Sequence, residues 1–242
     1  LWTTFWNMTL TVSSVALALL FGVAMGNLLR GVPLDTRGEL HMAFFTNFGV
    51  RGHVGLLDWY TVSLGICALL VLAAHGATYL TLKTQGPVHD RSDRAARWLW
   101  PTAGATVAVI CAEAWLVRPE LITAFPGRPL AWAAVILAIA GAAAVVLGLK
   151  GRREMQAFVG SGMFIFGLSG SWAATCFPVM LHSTLGADYA ITAQSGSTNR
   201  EGLAIAMLWW PCALVLAFAH YLFIARTYRG KIKPTPDAHD HY

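Results

Sequence analysis

Ionisable side chains are scarce in the apolar runs of this sequence, so the few that occur there define its available chemistry. His75, in Ala74-His75-Gly76-Ala77, and His220 stand in two separate runs. Helical geometry would put both about 10 Å in from the same end. Imidazoles at matched depth on two helices are what bis-histidine haem ligation needs; a neutral histidine can equally hydrogen-bond a neighbouring helix. Glu113 is the only acidic residue well inside a run, one helical turn before Arg118. A buried carboxylate is costly unless paired or wetted, so Glu113 reads either as a proton-path residue or as one held by an interfacial partner. Asn27 adds an amide near the end of the first run, where it is expected to bond a neighbouring helix.

That first run closes on Gly26-Asn27-Leu28-Leu29-Arg30-Gly31-Val32-Pro33-Leu34-Asp35. Arg30 is expected among lipid headgroups. Gly31 can take the left-handed conformation that ends a helix, and Pro33, lacking an N–H, keeps the chain from resuming it. Soluble-enzyme chemistry has no signal here: there is no nucleotide-binding loop, HExxH, GxSxG or cluster of acids with metal spacing. The cysteines Cys67, Cys111, Cys176 and Cys212 each lie within an apolar run and form no C-x-x-C pair, which argues against disulfide or zinc chemistry.

The elements that must position these residues are membrane spans. The 242 residues are 56% hydrophobic and 12% charged, with mean hydropathy +0.56, too apolar for an ordinary soluble domain. Runs nearly free of charge cover about 5–29, 59–82, 98–117, 130–149, 155–181 and 202–225. Each approaches the length that crosses a hydrocarbon core of about 30 Å, and a bilayer requires such spans to be helices. The expectation is a single all-α polytopic domain, a bundle of six transmembrane helices over residues 1–242. No leader is recognisable before Phe5, and Leu1 is not an initiator Met, which reads as a processed or truncated beginning.

A net charge of +5 does not indicate nucleic acid, because the basic residues fall in short clusters between spans. Lys83, Arg91, Arg94, Arg97, Lys150, Arg152, Arg153, Arg226, Arg229, Lys231 and Lys233 follow the second, fourth and sixth spans. The opposite loops hold Arg30, Arg37, Arg51, Arg118, Arg128 and Arg200. The positive-inside rule therefore places the C-terminus and Leu1 in the cytoplasm. Asp58 suits a helix N-cap, and Thr198-Asn199-Arg200-Glu201 has capping-box spacing. Gly22 with Gly26, Ala138 with Ala142, and Gly170 with Ala174 are small pairs four apart, the spacing that lets helices approach closely.

The reading GNLLRGVPLD over Gly26 to Asp35 closely resembles the signature of subunit II of the cytochrome bd-type quinol oxidases. Its carriers are Gly26, Asn27, Arg30, Gly31, Pro33 and Asp35. Gly55-Leu56-Leu57-Asp58-Trp59-Tyr60-Thr61-Val62, His75-Gly76-Ala77-Thr78-Tyr79-Leu80 and Lys83-Thr84 resemble the family's next helix and its exit. Phe177-Pro178-Val179-Met180, Ser195 to Ser197 and Tyr228-Arg229-Gly230-Lys231 resemble its last helices and tail, so the likeness runs along nearly the whole chain.

The resemblance implies a subunit of a plasma-membrane terminal oxidase, in bacteria, that oxidises quinol and reduces dioxygen to water. The larger partner, subunit I, would carry haem b and haem d. This chain would ligate no haem or metal and hold no catalytic residue; it would stabilise its partner, contact lipid and bound quinone, and help form proton or oxygen routes. The family accepts Gln at the position matching His75, which turns His75 into a packing or water-ordering group. About three further spans normally precede the first one seen here, including a Trp-Asp-Gly-Asn-Glu-Val-Trp motif absent from this sequence, so no proton-path acid is carried over. A small transporter or channel working without a redox partner is the alternative.

Overall fold

The computed structural model describes residues 2–50 and 53–232; Leu1, Arg51 and Lys233, used above to orient the chain, lie outside the described residues. Among the described residues six helices are long and apolar enough to cross a membrane: α1 (Trp2–Arg30), α2 (Trp59–Lys83), α3 (Pro87–Val117), α5 (Pro129–Lys150), α6 (Glu154–Cys176) and α7 (Arg200–Thr227). The short α4 (Pro119–Ala124) and a 3-10 turn (Phe125–Gly127) link α3 to α5. Two small strand pairs lie in the longest loops. β1 (Ala43–Phe45) runs parallel to β2 (Gly55–Leu57), and β3 (Val179–Leu181) antiparallel to β4 (Ile191–Thr192).

The helix ends follow local chemistry. Asp58 caps α2: its carboxylate accepts the N–H groups of Tyr60 and Thr61 at 3.1 and 3.0 Å, and the Thr61 hydroxyl accepts the Asp58 N–H at 3.0 Å. That reciprocal pair is a capping box. At α7 the cap is Asn199, which accepts from the Gly202 N–H at 2.8 Å, rather than Thr198 as the spacing suggested. α3 starts well before Trp98, at Pro87, because a polar helical segment is invisible to hydropathy. Pro87 has no N–H to leave unsatisfied, and Asp93 bonds Arg97 one turn on at 2.9 Å. α6 stops at Cys176, short of the expected Leu181. Pro178 offers no N–H and pushes Phe177 out of helical conformation, so the remaining apolar residues become β3.

α2 is the centre, packing against α1, α3 and α6, while α5 packs on α6. Without a hydrophobic drive between helices in lipid, close backbone approach must supply the packing energy. Gly22 and Gly26 serve α1 and α2 in this way: a Cβ on Gly22 would stand 2.6 Å from the Ala68 Cβ, and one on Gly26 2.9 Å from the Thr61 Cα. The α5–α6 seam uses a different set from the pairs expected. Gly148 meets the Ala157 backbone, Gly160 meets Ala144, and Gly167 meets Ala138, whereas Gly170 makes ordinary contact with Ala134. In the core, the Trp100 indole N–H donates to the Thr78 hydroxyl at 3.0 Å, and its ring meets Phe164 edge to face. α7 buries none of its residues.

Candidate functional site

The densest polar site lies where α1 ends. Arg30, expected among headgroups, is instead buried: its side chain is 7% exposed and pairs with Asp58, 5% exposed. Arg30 also donates to the Asn27 side-chain oxygen at 3.1 Å and to the Gly55 carbonyl at 2.8 Å. The Asn27 amide donates to the Val23 and Leu56 carbonyls at 3.0 and 2.9 Å. Asp58 thus does two jobs, capping α2 and neutralising α1's terminal cation. The fold explains why: close packing of Gly26 on Thr61 sets the end of α1 against the start of α2, where each charge is largely withdrawn from solvent.

Arg118, read from sequence only as a loop charge, completes the corner. It donates to the Leu29 carbonyl at 3.0 Å and pairs with Glu120 at 2.8 Å. A helix ends with unsatisfied carbonyls and partial negative charge, and the Arg118 guanidinium supplies a donor to one of them. That need for donors was the available sequence signal. Gly31 then turns with φ +96, and a Cβ there would stand 2.7 Å from His182. Val32 donates to the His182 carbonyl and accepts from Thr184, while the Ser183 hydroxyl donates to the Leu34 carbonyl at 2.8 Å. Burial and the Arg118 charge lower the His182 pKa. Burial opposes the Glu120 charge, yet the bond from Arg118 holds its pKa below the ordinary value.

Gly26, Asn27, Arg30 and Gly31 therefore converge, while Pro33 and Asp35 lead away. The Asp35 carboxylate accepts the Arg37 and Glu39 N–H groups at 2.8 and 2.9 Å, and the Glu39 bond in particular lowers its pKa. Glu39 and His41 join Asp35 there, the ligand atoms of all three lying within 4.8 Å of one another. These residues, uninformative in linear order, meet because Leu34 and Leu40 pair across a turn. The trio is solvent-facing.

The two histidines at matched depth do not share a seam. His75 Nδ1 is 2.7 Å from the Ser161 hydroxyl on α6, and the ring stacks on Phe158. His220 is exposed on α7. With His75 in the α2–α6 seam and His220 on a helix that buries none of its residues, the described residues do not bring the two imidazoles together. Glu113 accepts the Ser63 hydroxyl on α2 at 3.0 Å and is not paired with Arg118, whose N–H groups go to Glu120 and Leu29. An apolar cleft of about 630 Å³ opens between α3 and α5 over α6, bordered by Cys111, Phe125, Trp132, Phe164 and Trp172.

A second polar cluster gathers at the other end. Glu154 on α6 lies 2.8 Å from His89 on α3 and 2.5 Å from Lys231 beyond α7. The Ile232 N–H donates to the Lys83 carbonyl at 2.8 Å, and Lys83 donates back to the Tyr228 carbonyl at 2.9 Å. This strap ties the α7 terminus to α2.

The family described as cytochrome bd terminal oxidase subunit II matches residues 1–228. The probable cytochrome oxidase subunit 2 of Haemophilus influenzae is 22% identical over 249 residues, covering 92% of this chain and 64% of that protein. The cytochrome bd-I ubiquinol oxidase subunit 2 of Escherichia coli K12 is 23% identical over 251 residues, covering 88% and 62%. The cytochrome bd ubiquinol oxidase subunit 2 of Bacillus subtilis is 23% identical over 211 residues, covering 86% and 59%. The chain thus spans 59–64% of the length of these relatives. Six membrane-length helices among the described residues and a match over residues 1–228 make one conclusion plain: the chain belongs to the cytochrome bd terminal oxidase subunit II family.

Proposed function

We propose that this chain is the haem-free accessory subunit of a bd-type terminal oxidase. It sits against a larger subunit I that carries haem b and haem d, oxidises quinol and reduces dioxygen to water. The observation that carries this reading is the match of one subunit family over residues 1–228. The relatives named ubiquinol oxidase subunit 2 support the substrate class. The separation of the two histidines supports a haem-free role, because His75 stands in the α2–α6 seam while His220 is exposed on α7, a helix that buries none of its residues.

The chain's work is then mechanical and conductive. Exposed apolar surface on α1 and α7, including Trp6, Leu17, Leu208 and Phe218, faces subunit I and lipid. The cleft between α3 and α5 lies within the about 300–1,000 Å³ of small-molecule sites and takes a quinone or lipid chain, or passes dioxygen. The signature residues Gly26, Asn27, Arg30 and Gly31 lock the α1–α2 corner, with Pro33 and Asp35 leading the chain out of it. Glu113 contributes to a proton route, and His75 orders the α2–α6 seam. The Lys83 end and the C-terminus face the cytoplasm, in line with their basic residues.

The test is purification through this chain in mild detergent, with a reduced-minus-oxidised spectrum and quinol-dependent oxygen uptake. A larger haem-bearing partner, with haem signals that survive His75→Gln and His220→Gln, is the expected result. A stable, colourless lone chain would overturn the reading; a lone chain whose haem band vanishes with either substitution would make it the cytochrome itself.

A further inference from the structure

We infer that Glu113 is a proton-binding site inside the membrane: a neutral carboxylic acid, anchored by Ser63, that exchanges its proton with water at the Arg30 end of the bundle. This deepens the proton-route reading above and rests on it only for what the proton is used for.

The argument begins with what surrounds the carboxyl. Oε1 accepts the Ser63 hydroxyl from α2 at 3.0 Å. Oε2 is buried and has no hydrogen-bond partner among the described residues. An ionised carboxylate in such a place needs a cation, and leaving it uncompensated is strongly unfavourable. Tyr60 and Cys67 on α2 are the titratable groups facing it, Cys111 stands two residues before it on α3, and the cations of that end are Arg30 at the end of α1 and Arg118, which caps α3. Neither guanidinium bonds it, although the Arg30 Nε also has no hydrogen-bond partner among the described residues. Arg30 is paired with Asp58, and Arg118 is paired with Glu120 and bonded to the Leu29 carbonyl. Ser63 supplies one neutral donor, which suits the carbonyl oxygen of a protonated acid. The hydroxyl then sits on Oε2, the oxygen left without a partner.

Position makes that proton exchangeable. Glu113 lies four residues before Val117, where α3 ends, about 6 Å along the axis. A polar cavity of about 290 Å³ stands at that end, bordered by Arg30, Asp58, Trp59, Leu116, Val117 and Arg118. It is roomy and polar enough for water. Release breaks the O–H bond on Oε2, leaves both its electrons on the carboxylate and passes the proton to that water; uptake is the reverse.

Infrared difference spectroscopy on the full-length protein, with whatever subunits co-purify, tests this. Expected is a carbonyl stretch of a neutral carboxylic acid that shifts down in D2O and disappears in Glu113→Gln. In Ser63→Ala the same band should move to higher frequency, because its carbonyl loses a hydrogen bond; this variant keeps the test alive if Glu113→Gln does not fold. A Glu113-dependent carboxylate signal in place of the carbonyl band would overturn the inference. A carbonyl band that never responds to D2O would also overturn it, since the proton would then be sealed in. A colourless lone chain that shows the expected band would sink the oxidase reading and leave this one standing.

Discussion

The two ends of the bundle each hold an ion pair that joins separate elements, yet they differ in physical character. At one end Arg30 and Asp58 are 7% and 5% exposed, enclosed by the α1–α2 corner and backed by carbonyls. At the other, Lys231 and Glu154 are 28% and 26% exposed, and Lys231 arrives from a strap beyond α7. The first pair is largely withdrawn from solvent, at the edge of a polar cavity, and is positioned by helix packing; the second is wet and positioned by a loop. Like ion pairs therefore carry unlike energies. Losing one partner of a buried pair strands a charge, whereas losing one partner of a wet pair returns the other to solvent.

The sharpest way to break this comparison is Asp58→Ala, which strands Arg30 and removes the α2 cap together. The expected loss is about 3–5 kcal/mol, read as a fall in thermal unfolding midpoint; Asp58→Asn, which can still cap, separates the charge from the cap. If neither variant costs more than Glu154→Gln, the two ends are energetically alike and the distinction fails.

Glycines give the next contrast. Gly31 and Gly230 both have φ +96, but a Cβ on Gly31 would meet His182 at 2.7 Å while Gly230 has nothing within 4 Å. Gly31→Ala is expected to cost about 1–3 kcal/mol, and Gly230→Ala less, compared by unfolding midpoint. Equal costs would mean that backbone strain alone matters and the tight α1 corner adds nothing.

At the wet end, Glu154→Gln and Lys231→Ala should each cost about 0–1 kcal/mol, diminishing with added salt. Protease cleavage near Arg229 should rise in both variants; unchanged cleavage would mean that the backbone bond from Ile232 to Lys83 alone holds the strap.

The smallest effect is a pH response of the Arg30 end. His182 has a folded pKa below its ordinary 6.5, from burial and then the Arg118 charge, so the fold prefers neutral imidazole. Its contribution is full above the unfolded value and is lost as pH falls through it. Glu120 acts in the same direction at lower pH, since Arg118 holds its pKa below the ordinary value against burial. Unfolding midpoints between about pH 5 and 8 should drop on the acid side. His182→Gln should flatten the upper part of that drop, and an unchanged profile would place the response elsewhere.

Sequence alone determined the membrane-spanning class and most of what the helices do at their ends. A charge-free run, a glycine that can turn, and an aspartate followed by threonine three residues on are local facts, because helix length and capping depend on neighbours in the chain. It also placed Gly22 and Gly26 on a packing face. Only the tertiary structure decided which charges are buried and which partners they take. The same arginine type lies in a wet loop at Arg37 and in a buried pair at Arg30, and Arg118 reaches the end of α1 across many intervening residues. Hydropathy could not see this, since the cost of a charge is set by the water and dipoles around it, and those belong to the packed bundle. For the same reason the matched depths of His75 and His220 suggested one haem, while helix packing turned His75 to Ser161 and left His220 on an unpacked helix.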